Sequence, residues 1–187
     1  MDKKHIVLGV SGSIAAYKAG DIIRRLREKD CDVTVVMTAC AEKFITPLTL
    51  ETLSGRPVCR DMFARDAGWD MAHISLAKSA DVLLIAPATA NVIGKMAAGI
   101  ADDLLTCTAI TTRAPIIVAP AMNTMMFTHS IVQENMKKLA ANGVRFIQPR
   151  EGKLACGDVG QGHLADVDEI VKEVLNNMQP TRFETTA

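Results

Sequence analysis

Ile6-Val7-Leu8-Gly9-Val10-Ser11-Gly12-Ser13-Ile14 decides the fold of this chain of 187 residues. Ile6 to Val10 is a short apolar run with no polar alternation, the pattern of a strand buried on both faces. Ser11-Gly12-Ser13 breaks it with a turn, and Ile14 to Glu28 reads as an amphipathic helix ending in a charged cluster. Backbone N–H groups at a helix start, with two hydroxyls beside them, suit an anion and phosphate above all. The stretch lacks both the G-x-G-x-x-G spacing and the Gly-Lys-Ser/Thr ending of a Walker loop. A simple capping turn with Ser as the cap is the plainer alternative.

Outward from this unit, strands and helices alternate. Strands are predicted over 32–37, 82–86, 116–119 and 144–147, with a shorter one over 57–59. Pro87 and Pro120 close two of them. Helices are predicted over 39–44, 47–53, 74–78, 90–98, 102–111, 130–141 and 166–176; Asn142-Gly143 closes the helix over 130–141. Residues 61–70 and the glycine-rich stretch 151–162 read as loops. The alternation implies one α/β domain over residues 1–178, a doubly wound parallel sheet with helices on both faces, and a disordered tail over 179–187. Ligands of such sheets bind at the carboxyl ends of the strands, near the switch point. That rule selects 11–13, 38–44, 87–91, 120–123 and 149–162.

Composition narrows the function classes. Hydrophobic residues make up 49% of the chain and aromatics only 4%, so the core is aliphatic, drawn from Ala, Val, Ile, Leu and the ten Met. The 21 basic residues balance the 21 acidic ones, which argues against a nucleic-acid or acidic-membrane partner. Cys31, Cys40, Cys59, Cys107 and Cys156 are odd in number and form no CxxC pair, so neither a zinc knuckle nor a disulfide scaffold is expected and no metal is assigned. Met1-Asp2-Lys3-Lys4 precedes too short an apolar run for a secretory signal. Val82 to Gly94 is too short to span a membrane and contains Pro87 and Asn91. A cytoplasmic protein with reduced thiols is the expectation.

The strand ends carry the candidate chemistry. Thr38 offers a further hydroxyl after the second strand, with a helix cap as the plainer alternative. In Pro87-Ala88-Thr89-Ala90-Asn91 small residues let a flat ring approach the backbone while Thr89 and Asn91 offer hydrogen bonds. Pro120-Ala121-Met122-Asn123 repeats the design after the next strand; its Asn amide suits a carboxylate or carbonyl, or is a turn residue. His73 lies just before a short helix, beside Trp69 and Met71, and is a candidate base; a structural histidine is the plainer reading. Cys156 sits among four glycines between Glu151 and Gly162, a composition that suits a lid. An incidental surface thiol is the alternative.

Taken together these segments resemble the flavoprotein cysteine decarboxylases. The resemblance rests on 9–18, Met37-Thr38 with Phe44, His73 in Met-Ala-His-Ile, 86–91, 97–105, 120–123, and Ala155-Cys156-Gly157-Asp158 with Gly160 and Gly162, and it runs from about residue 4 to 176. It implies a flavodoxin-like fold that binds FMN, assembled as a homotrimer or a dodecamer of trimers with sites at subunit interfaces. Ser11, Gly12, Ser13, Ile14 and Thr38 would hold the phosphate side. Phe44, Ala88, Thr89, Ala90, Asn91, Ala121 and Met122 would line the ribityl chain and ring. The substrate it implies is the small molecule 4′-phosphopantothenoylcysteine, converted to 4′-phosphopantetheine in coenzyme A biosynthesis. Oxidation of the thiol carbon to a thioaldehyde creates the electron sink that loss of CO2 requires, and the resulting ene-thiolate is then re-reduced. In that scheme His73 is the base, Asn123 holds the carboxylate and Cys156 supplies a proton.

Two other readings stay open at this stage. A peptidyl-cysteine decarboxylase stops at an ene-thiol, and a non-catalytic flavin-binding regulatory subunit does no chemistry. The lid cysteine favours the reductive second half, and the presence of His73, Asn123 and Cys156 together favours catalysis.

Overall fold

A computed structural model of the chain describes residues 3–63, 71–153 and 159–178. Its frame is five parallel strands: β1 (His5–Val10), β2 (Asp32–Met37), β3 (Val82–Ala88), β4 (Ile116–Pro120) and β5 (Arg145–Phe146). They lie in the order β2-β1-β3-β4-β5, with Ile6 of β1 registered against both Val33 and Val82. The order reverses between β1 and β3, so the crevice at their carboxyl ends is the switch point of a flavodoxin-like sheet.

Each face of the sheet carries its own core. On one side pack α1 (Ala19–Glu28), α2 (Pro47–Ser54) and α8 (Val167–Asn176). The apolar stripe of α1 (Ile22, Ile23 and Leu26) is fully buried there, and burial of each such side chain is worth about 1.5–3 kcal/mol. On the other side pack α3 (Ala72–Ser79), α4 (Ala90–Ala98), α5 (Leu104–Thr111), the four-residue α6 (Thr124–Phe127) and α7 (Ser130–Ala141). Gly55 and Gly99 close α2 and α4 in left-handed conformation. Among the described residues no helix is long and apolar enough to cross a membrane.

The structure departs from the sequence-based elements where local hydrogen bonds overrule periodicity. The helix expected over 14–28 divides into a 3-10 turn, Ile14–Lys18, and α1. β3 runs through Pro87 to Ala88, because its register with β4 shifts between Ile85 and Ala88 and releases Pro87 from the ladder. Residues 57–59 form only a bridge, Cys59 to Val36. Asp102 lies outside α5, because Asp103 caps it in a reciprocal box with Thr106. The glycine-rich stretch is a hairpin rather than a loop, with β6 (Arg150–Lys153) antiparallel to β7 (Val159–His163). Periodicity does not reveal α6, which is only one turn long. The tail over 179–187, Trp69 and Cys156 lie outside the described residues.

Candidate active site

The switch-point crevice opens on a cavity of about 670 Å³, within the range of small-ligand sites, roughly 300–1,000 Å³. Its floor and walls come from three strand ends and the hairpin. Gly12, Ser13 and Ile14 follow β1, Thr89 follows β3, Ala121, Met122 and Asn123 follow β4, and Gly162 and His163 end β7. Tyr17, Lys18, Met126 and Leu164 complete much of the rest.

Ser11 lies beneath this lining rather than in it. It is 1% exposed; its Oγ donates to the Pro87 carbonyl at 2.7 Å and accepts from the Thr89 amide at 3.0 Å. The hydroxyl thus fastens the end of β1 to the end of β3. Ser13 caps the 3-10 turn by accepting from the Ala15 amide, and Thr89 caps α4 by accepting from Val92. The Thr38 hydroxyl accepts from the Ala41 amide. Each hydroxyl picked out by the phosphate reading is therefore also a working cap or clasp. The Gly12 amide, by contrast, has no acceptor among the described residues. A Cβ on Gly12 would meet the Cys40 Cβ at 2.4 Å, so only glycine lets the turn lie this close to the segment after β2.

The other wall is held by Gly162, whose carbonyl accepts from the Met122 amide at 3.0 Å. With φ at 154° and a Cβ that would stand 2.2 Å from the Met122 carbonyl oxygen, the position admits no side chain. This contact seats the hairpin on the turn that carries Asn123. Asn123 itself caps α6, accepting from Met125 at 2.8 Å. Beside it Thr124 Oγ1 is buried without a hydrogen-bond partner among the described residues.

Among the remaining predicted residues, Ala88 is fully buried in β3, Ala90 is half-buried and Asn91 is exposed at the start of α4. Phe44 stands 47% exposed after β2. His73 is the second residue of α3, and its buried Nδ1 has no hydrogen-bond partner among the described residues. The far end of α3 meets the start of β1, where the His5 ring bonds to the Ser79 carbonyl. The first turn of α3 therefore points to the carboxyl edge of the sheet, on the face opposite α1. His73 shares the crevice's edge but does not line its cavity. Sequence reasoning missed Tyr17, Lys18, His163 and Leu164. Tyr17 and Lys18 lie inside a quoted motif; the hairpin that brings His163 inward left no periodic signal.

Electrostatics narrow the chemistry further. No Asp, Glu or Arg is among the described residues lining the cavity, so an anionic ligand meets no acidic side chain there. Burial holds the Cys59 thiol above its ordinary range. Burial, and then nearby carboxylates, do the same for Cys31 and Cys107, so none of the three is a poised thiolate. Among the described residues no group of three or more His, Cys, Asp or Glu is placed to hold a metal ion.

The arrangement has known counterparts. The chain is 47% identical over 177 residues to the coenzyme A biosynthesis bifunctional protein CoaBC of Vibrio vulnificus, covering 95% of this chain and 44% of that protein. The CoaBC protein of Escherichia coli is 45% identical with the same coverage. The chain thus spans less than half the length of these curated relatives. Among solved structures, a PPC decarboxylase mutant complexed with pantothenoylaminoethenethiol superposes with a TM-score of 0.82 at 32% identity, covering 94% of this chain and 98% of that one. The FMN-dependent cysteine decarboxylase SpaF matches with a TM-score of 0.82 at 33% identity and the same coverage. The Flavoprotein family model matches residues 1–179, which include every described strand and helix. With the switch-point crevice and both of its walls inside that match, the chain belongs to the Flavoprotein family.

Proposed function

We propose that the chain is an FMN-dependent decarboxylase that converts 4′-phosphopantothenoylcysteine to 4′-phosphopantetheine and CO2 in coenzyme A biosynthesis. One observation carries the reading: a cavity at the β1/β3 switch point with no acidic side chain among the described residues that line it, and with the Asn123 turn on its wall. The likeness to PPC decarboxylase over nearly the whole of both chains supports it.

The residues present suit FMN. A phosphate needs donors, and the unpartnered Gly12 amide with the Ser13 and Thr38 hydroxyls supplies them. A flat ring needs apolar cover, and Ile14, Ala121 and Met122 line the cavity with Thr89, whereas Phe44, Ala88, Ala90 and Asn91 do not line it in a single chain. FMN, when bound, supplies the reversible two-electron chemistry that a saturated carboxylate lacks. Asn123 orients the substrate carboxylate and His73 takes the proton as the thiol carbon is oxidised. Cys156 returns a proton at the end. Because His73 does not line the cavity of its own chain, it serves the crevice of a second copy, in a homotrimer or a dodecamer of trimers. Its Nδ1, without a hydrogen-bond partner among the described residues, supports that placement.

The test is direct. Purified protein should show the visible bands of oxidised FMN and release 4′-phosphopantetheine from 4′-phosphopantothenoylcysteine. A colourless protein that FMN cannot reconstitute would overturn the cofactor. A product lacking two hydrogens would point instead to a decarboxylase that stops at the ene-thiol.

A further inference from the structure

We propose that Lys18 anchors the phosphate of the substrate and so sets the preference for a phosphorylated small molecule over its unphosphorylated counterpart. The inference rests on the decarboxylation reading above and assigns a residue that reading leaves unused.

Lys18 is the one permanently charged side chain among the described residues that line the cavity. The ligands assigned to this crevice carry two phosphates and a carboxylate. Asn123 takes the carboxylate, and the Gly12–Ser13 turn takes the cofactor phosphate. One phosphate is left, and one cation. The two phosphate positions are separate: Ser13 caps the start of the 3-10 turn and Lys18 is its last residue. At a rise of about 2 Å per residue their backbones stand about 10 Å apart along the turn.

The surroundings of Lys18 leave its charge available. The acidic residues nearest in the fold are already paired: Asp21 with Arg24, Asp166 with Arg150 and Asp168 with Arg25. Glu169 borders the outer cleft that Lys18 also touches, yet Lys18 makes no ion pair with any described residue. A compact ammonium on a flexible stem suits a terminal phosphate, which presents several equivalent oxygens and needs no fixed fork of donors. His163 lines the same cavity from β7.

The experiment compares 4′-phosphopantothenoylcysteine with pantothenoylcysteine in the wild-type protein, Lys18→Gln and Lys18→Arg, each loaded with FMN. The ratio of the two kcat/KM values should fall about tenfold or more in Lys18→Gln, since a charged hydrogen bond to the phosphate is lost. The loss should appear mainly in KM for the phosphorylated substrate, and Lys18→Arg should recover most of the ratio. FMN affinity, read from quenching of flavin fluorescence, should keep the wild-type value within about twofold. An unchanged ratio in Lys18→Gln overturns the anchor. So does a fall in FMN affinity that slows both substrates alike, because Lys18 then serves the cofactor phosphate. Turnover of neither substrate by the wild-type protein overturns the decarboxylation reading, and the anchor falls with it.

Discussion

The two walls of the crevice are built to different standards. At the β1/β3 wall the polar side chains have partners: Ser11 bridges Pro87 and Thr89, and Ser13, Thr38 and Thr89 all cap turns. On the opposite wall Thr124 Oγ1, and outside the cavity His73 Nδ1, are buried with no hydrogen-bond partner among the described residues. An unpaired buried polar atom costs about 1–3 kcal/mol, and native folds rarely tolerate one without a use. The difference teaches a division of labour. In the proposed reading the hydroxyls assigned to the cofactor side are already held by partners within one chain, whereas the residues assigned to chemistry await substrate or a second copy.

That contrast breaks most visibly at His73. His73→Asn should retain FMN, yet lose turnover by about 10²–10⁴-fold, the usual worth of a positioned base. Steady-state rates with the visible spectrum of the same sample check both halves. Full turnover would remove His73 from the chemistry.

Next in size is Gly162→Ala, which places a methyl where the Met122 carbonyl oxygen stands 2.2 Å away. The hairpin must lift from the Asn123 turn, and we expect a loss of about 2–4 kcal/mol in denaturant unfolding. Ser11→Ala removes the clasp between β1 and β3 and should cost about 1–3 kcal/mol, with weaker FMN retention. Thr124→Val sharpens the comparison from the other side. It deletes a hydroxyl with no hydrogen-bond partner among the described residues, so the free protein should be as stable as wild type or more stable by about 1 kcal/mol. If Thr124→Val is as costly as Ser11→Ala, the two walls do not differ.

The smallest effect is expected remote from both walls. Lys95 lies 2.7 Å from Asp102, and this hydrogen bond holds the Asp102 carboxyl below its ordinary value. A carboxyl depressed in the fold stabilises above the unfolded value and loses that contribution as pH falls through the folded one. The pair is surface-exposed, so Asp102→Asn should shift the melting temperature only slightly near neutrality. The shift should vanish in strong acid or high salt.

The sequence announced the sheet well and the site unevenly. β2, α4 and α7 lie where periodicity and caps place them, because their apolar spacing and the Asn142-Gly143 stop agree with the tertiary packing. The 3-10 turn at Ile14–Lys18 was illegible, since it shares the amphipathic pattern of the helix it leads into. The hairpin was illegible for the opposite reason: glycines carry no period, and its seat is a backbone contact between Gly162 and Met122. Among site residues, Gly12, Ser13, Thr89, Ala121 and Met122 could be placed from their positions just after strands. Ser11 has the same spacing, but its hydroxyl turns inward to Pro87, which only three-dimensional pairing decides. Lys18 and His163 went unassigned because the cavity draws on the far end of the 3-10 turn and on a strand with no signal of its own.

One measurement bears most directly on the division between the two walls. His73→Asn and Asn123→Asp are each expected to be inactive, the first lacking the base and the second repelling the substrate carboxylate while still able to cap α6. Co-expressed, differently tagged and purified as mixed oligomers, they should regain 4′-phosphopantothenoylcysteine decarboxylation, because some crevices then combine Asn123 from one copy with His73 from another. Verified mixed oligomers that stay as inactive as either variant alone would contradict the account, placing His73 and Asn123 in the service of the same chain.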